Sequence, residues 1–346
     1  MSEASRAAAE RAGATSRGTV LVTGGAGYVG SHACKALAAA GYRPVAYDSL
    51  FRGHRWAVRW GPLEVGDITD RARLEAAMAA HRPVAVLHFA ALAYVGESVA
   101  DPGLYWRTNL GGTVAVLDAM RAQGTRAIVF SSSCTTYGMP DRVPIDEDHP
   151  QRPISPYGWS KFTAEQAIRD YGAAHGIGWA ILRYFNAAGA DPDGETGWDH
   201  DPETRLVPLA LRATDPAFPL SVLGTDYPTP DGTCVRDFVH VSDLATAHVA
   251  ALDRLLAGRA SAAVNLGTGT GHSVRQVIAA AERVTGRPVH ARTAPRRSGD
   301  PPSLVADVRR AGAVLDWLPE HSEIDRIVAD AWRWMTEGLP RARQRR

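Results

Sequence analysis

Lysine is nearly missing from this chain: of 38 basic residues only Lys35 and Lys161 are lysines, and all the others are arginine. Cysteine is scarce too. Cys34, Cys134 and Cys234 lie far apart with no CxxC pair, which argues against a disulfide framework or a zinc site and fits small side chains in a reducing, cytoplasmic setting. No apolar run approaches the ~18 residues that would suggest a membrane span. Charge imbalance is absent as well, since a formal net charge of +1 gives no electrostatic case for nucleic acid or a membrane as partner. The first 17 residues, MSEASRAAAERAGATSR, lack an apolar stretch, so they read as a disordered leader and not as a secretory signal. The closing RARQRR reads as a solvated end.

What is present is the texture of a globular α/β protein. At 346 residues, 45% apolar and 22% charged, the chain fits one large unit or two lobes. TVLVTG, PVAYDSL, PVAVLHFAAL, RAIVFSSS and WAILRYFN read as strands apolar on both faces, as parallel strands covered by helices are. Between the first two, Val29, Ala33, Ala36, Leu37 and Ala40 keep helical spacing up to Gly41. The alternation predicts a doubly wound parallel sheet. After Gly189 the sequence turns polar and loop-rich, in ADPDGETGWDHDPETR and GTDYPTPDGT. We therefore expect a dinucleotide-binding sheet over 18–190 and a smaller lobe over 191–340. The segment near 235–258, VRDFVHVSDLATAHVAALDRLL, is expected to return to the main sheet as a strand and helix.

Gly24, Gly27 and Gly30 in VTGGAGYVG follow the first strand and open the first helix. Glycine there permits a tight turn and lets a pyrophosphate approach the helix N-terminus, the Rossmann-type arrangement. Asp48 closes the second strand, where a carboxylate accepts hydrogen bonds from ribose hydroxyls and repels a 2′-phosphate. NAD is thus expected over NADP, with Arg52 as the counter-reading. Asp67 ends the third strand, near an adenine or as a plain loop cap.

Tyr157 and Lys161 stand one helical turn apart, with Pro156 suited to the helix start. A phenol with a pKa near ~10 is a poor base at neutral pH. A neighbouring ammonium favours the phenolate, and a compact charge on a flexible stem can serve phenol and ribose together where a guanidinium cannot. The serines of FSSSCTTYG supply a third partner. This reading explains why a lysine was kept at 161.

The blocks TGGAGYVGSH, GDITD, HFAALAYVGES, FSSSCTTYG, SPYGWSK, LRYFNAAGA, GTDYPTPDGTCVRDFVHVSDL, NLGTG and APRRSGD resemble, in order, the UDP-glucose 4-epimerases, a family of extended short-chain dehydrogenase/reductases. The resemblance implies a bound NAD, a UDP-sugar substrate, and inversion at the sugar C4 through a transient 4-keto sugar. Tyr157 would take the proton of the 4-hydroxyl, with Lys161, Ser133 and Thr135 assisting. Cofactor contacts carried over are Gly24, Gly27, Tyr28, Val29 and Gly30 from the first loop, then Asp48, Ser49, Asp67 and Ile68. Phe89, Ala90, Ala91, Ser131, Tyr157, Lys161 and Tyr184 complete them. Substrate contacts are Ser133, Tyr157, Asn186, Arg205, Leu206, Ser221, Leu223, Arg236, Arg297, Asp300 and Leu304, with Asp237 as the structural partner of Arg236. A homodimer is implied, with the helices at 103–123 and 157–174 as interface elements.

Departures from the family pattern are Ala93 for a lysine, Thr108 for an asparagine, and Arg205, read as facing the diphosphate, for an uncharged residue. Leu304, near the hexose, has a bulk that leaves N-acetylhexosamines open. UDP-pentoses and UDP-glucuronate also stay open. A 4,6-dehydratase would need an Asp-Glu pair that SSSCTTYG lacks, and a non-enzymatic NAD sensor would lack the tyrosine–lysine pair.

Overall fold

The computed structural model describes residues 16–297 and 299–344. The expected leader therefore lies almost wholly outside the described residues.

Seven strands form one parallel sheet: β1 (Thr19–Thr23), β2 (Arg43–Asp48), β3 (Leu63–Val65), β4 (Ala85–His88), β5 (Ala127–Ser133), β6 (Gly178–Tyr184) and β10 (Ala262–Leu266). Their order is β10-β6-β5-β4-β1-β2-β3, so the chain reverses direction across the sheet between β1 and β4. Period-two alternation explains why each strand reads as a continuous apolar run. Val20 and Val22 point into one core with Val129, Leu182 and Leu244, while Leu21 points into the other with Ile128, Phe130 and Ile168. Helices α1 (Tyr28–Ala39), α2 (Arg71–His81), α3 (Gly112–Gln123), α4 (Pro156–His175) and α5 (Val241–Leu256) supply the covering side chains. The doubly wound reading of the sequence holds.

Helix α4 starts where local chemistry requires. Ser155 accepts a hydrogen bond from the Gly158 amide at 3.1 Å and Pro156 occupies the first turn, while Gly176 at φ +67° ends it.

A second, four-stranded sheet gathers β7 (Asn186–Ala188), β9 (Val235–His240), β11 (Gly271–Ser273) and β13 (Ser303–Leu304) around β9. A parallel pair joins β8 (Leu220–Leu223) to β12 (Ala291–Ala294). Helix α6 (Val274–Thr285), opened by a Ser273/Gln276 capping box, buries Val277, Ala280 and Ala281 in a further core with Trp198, Leu211, Phe238, Ile327 and Trp334. One expectation is corrected. Helix α5 does pack on the main sheet, but β9 ahead of it does not join that sheet; the strand that does is β10, after the helix. The buried Asp237 explains the difference. Its carboxylate accepts hydrogen bonds from the amides of Thr268, Gly269 and Ala306 at 2.8, 3.1 and 3.1 Å, tying β9 to the second sheet's surroundings.

Candidate active site

In a doubly wound sheet the ligand crevice opens at the carboxyl ends of the strands, where the chain reverses. Here that edge carries the loop after β1, Asp48 at the end of β2, Phe89 just past β4, the Ser131–Ser133 run closing β5, and Tyr184 closing β6.

The first loop is shaped for close approach. Gly24 lies at φ +72°, and a Cβ there would stand 2.7 Å from the Ala90 amide nitrogen; at Gly30 a Cβ would collide with the Gly24 carbonyl. Gly27 is the residue from which α1 departs. Asp48 accepts hydrogen bonds from the amides of Ala26 (3.0 Å) and Leu50 (2.8 Å); burial raises its carboxyl pKa, and those two bonds oppose the rise. Ser49 turns back to accept from Phe51 at 3.4 Å. Arg52 donates to Glu97 at 2.6 Å and lies over the Tyr94 ring at 4.1 Å, so its charge is already engaged. Asp67 caps its own turn, accepting from the Thr69 amide and hydroxyl at 2.8 and 2.7 Å, while Ile68 is buried in the core. The glycine cradle, which side chains would fill, and the carboxylate at the end of β2 fit a dinucleotide lacking a 2′-phosphate.

The three serines of β5 face alternately. The Ser131 carbonyl accepts from Lys161 Nζ at 2.8 Å, and its hydroxyl accepts from Tyr184. Ser132 turns to the opposite side, donating to Glu165 at 2.5 Å. Ser133 Oγ accepts from the Thr135 amide (3.2 Å) and hydroxyl (3.0 Å), which leaves its own O–H to donate elsewhere. Tyr157 is 9% exposed and Lys161 3%, the ammonium lying 4.8 Å over the Phe130 ring. The ring of Tyr105 meets Tyr157 edge-on at 6.3 Å.

Electrostatics at this pair differ from the sequence expectation. Burial pushes the Tyr157 phenol up to about 12, opposed by the Ser133 side chain. Burial also pushes Lys161 down to about 7, opposed by Glu165. Among the protein's own groups, desolvation outweighs the attraction that was expected to lower the phenol, because both side chains are buried.

The residues expected to meet the substrate lie apart in the fold. Arg236 donates to Asp300 at 2.5 Å, and Leu304 lies in register with Arg236 across β9–β13, buried against Cys134, Tyr137 and Phe185. Asp237 is not the partner of Arg236: neighbours on a strand face opposite ways, and its carboxylate serves backbone amides instead. Arg297 is exposed, and its carbonyl accepts from the Asp300 amide at 3.3 Å. Asn186 opens β7 opposite Phe238, and Ser221 and Leu223 lie on β8, with Arg292 reaching Ser221 Oγ at 3.3 Å.

Arg205 lies elsewhere, over the rings of Tyr28 (4.7 Å) and Trp198 (5.7 Å). Its Nε and Nη2 donate to the two Glu203 oxygens at 2.9 and 2.6 Å, so a protein carboxylate already fills the fork read as facing diphosphate. Leu206 begins the helix after it and packs into the third core. Ala93 is exposed and Thr108 half-buried; the next residue, Asn109, is the buried asparagine, accepting from the Leu92 amide at 2.8 Å and donating to Ser160 at 3.0 Å. The sequence reading passed over Asn109, and over Tyr227, whose buried hydroxyl has no partner among the described residues though it stands near Asp300, Arg296 and Arg236. The asparagine was signalled only by its place beside Thr108, and the tyrosine only by lying inside GTDYPTPDGT.

A family model, the NAD dependent epimerase/dehydratase family, matches residues 20–267, and the chain belongs to that family. Within it the chain is similar to the UDP-glucose 4-epimerase of Rhizobium meliloti (strain 1021), 53% identical over 91% of this chain and 96% of that protein. It is 49% identical to the UDP-glucose 4-epimerase of Azospirillum brasilense, over 91% of each. The crystal structure of UDP-glucose 4-epimerase from Brucella ovis in complex with NAD superposes with a TM-score of 0.89 at 51% identity, covering 91% of this chain and 98% of that one.

Proposed function

We propose that this chain is an NAD-dependent 4-epimerase of UDP-sugars, with UDP-glucose and UDP-galactose as its pair. The observation that carries the proposal is the buried Tyr157 and Lys161, one turn apart on α4, at the strand edge that also carries the glycine cradle and Asp48. NAD would supply a hydride acceptor and donor at the sugar C4. Gly24, Gly27, Gly30 and the α1 N-terminus would hold its pyrophosphate, Asp48 the adenosine ribose, and Lys161 the nicotinamide ribose. Tyr157 would take and return the proton of the 4-hydroxyl, with Ser133 donating a hydrogen bond to the same oxygen. Arg236, Arg297 and the orphaned Tyr227 hydroxyl would hold UDP, so that nucleotide binding energy positions a hexose free to turn over. The Glu203-filled fork of Arg205 argues against a uronate carboxylate as its partner.

The same proposal includes a homodimer and a cytoplasmic setting. Val99, Trp106 and Trp159 leave large apolar side chains exposed on or beside the expected interface helices. Three free thiols, two of them buried, suit a reducing compartment. The test is conversion of UDP-galactose to UDP-glucose by the purified protein, run beside UDP-GlcNAc, UDP-xylose and UDP-glucuronate. No conversion of any of the four would overturn the reading.

A further inference from the structure

Behind the tyrosine and lysine lies a second buried ionic group that the proposed chemistry does not use. Glu165 follows Lys161 by one further turn of α4, so Tyr157, Lys161 and Glu165 form one row along the helix. Its side chain is 1% exposed and that of its partner Arg183 2%. Arg183 donates from Nη2 at 2.6 Å and from Nε at 2.9 Å, and Ser132 and Gln151 donate to the same carboxylate at 2.5 and 3.2 Å. Arg183 in turn reaches the Tyr137 hydroxyl at 2.9 Å and Gln151 at 3.0 Å. Strand register aligns the whole set: Ser132 pairs with Arg183 and Ser133 with Tyr184 across β5–β6.

We propose that Glu165 is a positioning residue for the proposed reaction: through Ser132 it fixes α4 against the end of β5, and its carboxylate is the charge that holds the Lys161 side chain as an ammonium. The inference rests on the Tyr157–Lys161 reading given above. A buried ion pair is weak evidence for stability as such, so its position calls for another reason. Position supplies it. Ser132 lies between the serine whose carbonyl holds Lys161 and the serine that meets Tyr157, and it is anchored to Glu165 of the same helix, so the carboxylate fixes where both functional neighbours lie against α4.

The groups around Lys161 narrow the source of the field. Tyr157 and Glu165 face it from its own helix, Tyr184 and Arg183 stand on β6, His88 on β4, Cys134 just past β5, and His248 of α5 lies against Tyr184. Burial keeps His88 (about 3) and His248 (about 4) uncharged at neutral pH, and it raises Cys134 and both phenols into their neutral forms. Glu165 is the group that favours the charged lysine.

Because the chain has only two lysines, NMR of lysine-labelled full-length protein, purified with its cofactor, reads Lys161 directly. In Glu165→Gln the Lys161 titration midpoint should fall by about one pH unit or more. The alkaline loss of kcat should move down with it, up to about tenfold at high pH, with KM for UDP-glucose within about twofold. Ser132→Ala, which keeps the charge, should lower kcat severalfold and leave the midpoint in place. Should Glu165→Gln fail to fold, the E165Q/R183Q double variant, which removes both buried charges, is expected to fold and to show a smaller fall, because losing the Arg183 cation offsets part of the carboxylate's effect. An unmoved Lys161 midpoint in the folded variant, or a midpoint that shifts equally in Ser132→Ala, overturns the proposal. Tyr157→Phe separates the two readings: if it keeps parental turnover the base assignment falls, whatever Glu165 does.

Discussion

Lys161 is held by Ser131, its ammonium donating to that residue's carbonyl at 2.8 Å. The anchor fixes the charge at the carboxyl edge of β5, above the Phe130 ring. An arginine fork in the same buried slot would need room for a planar group and partners for five donors.

Tyr157→Phe should therefore retain NAD and lose turnover by roughly 10²–10⁴-fold, the usual worth of a positioned general base. Lys161→Arg should lose turnover by a comparable factor although the charge is kept. Steady-state kcat, with cofactor content measured on the same samples, checks both; parental kcat in either variant contradicts its assigned role.

Lys161 also gives a stability signature. Its folded pKa of about 7 lies below the ordinary lysine value, so the unfolded chain binds more protons between the two, and stability rises with pH across that window. Below about 7 the buried charge is a full burden. Lys161→Met should melt higher than the parent near pH 6, and the gap should close as pH approaches ~10. Calorimetry at three pH values tests this, and a gap independent of pH would refute it.

Lys35, the other lysine, makes ion pairs with three carboxylates, Asp191 at 2.8 Å, Asp193 at 2.6 Å and Glu195 at 3.0 Å. Lys35→Met leaves them facing one another and should cost about 1–3 kcal/mol at pH 7. The ammonium lowers the pKa of Asp193, so this contribution is present above the ordinary aspartate value and is lost as pH falls through the depressed one. The difference in melting temperature between parent and variant should shrink on acidification. A constant difference would mean that packing, and not charge, is lost.

Arg236 and Arg205 should part company in binding assays. Arg236→Met leaves Asp300 without its partner and removes the proposed phosphate donor, so KM for UDP-glucose should rise by more than about tenfold. Arg205→Asn, whose charge answers Glu203, should change KM by no more than about threefold. Equal effects would put both arginines on the substrate.

The strand series, the glycine loop and the tyrosine–lysine spacing were legible because each is local: period two, period 3.6 and a tight turn leave their marks on adjacent residues. Asp237 was misread because adjacency in sequence on a strand means opposite faces, and its amide partners lie some thirty or more residues away. Glu165 and Arg183 were passed over for the same reason. A lone glutamate on a helix and an arginine in a strand reveal nothing until β6 carries one beneath the other. The placement of β9 outside the main sheet was hidden as well, since VRDFVH and AAVNL both look like short strands and only tertiary pairing tells them apart.

Leu304 stands directly across from Arg236 but on a separate segment, packed on Phe185 and Cys134. If the proposed substrate contacts hold, a change of volume at that leucine would resize the room for the sugar while the phosphate grip stays put. On the proposed assignment, selectivity for the sugar and affinity for the nucleotide would be separately tunable, by residues that face each other in one ladder.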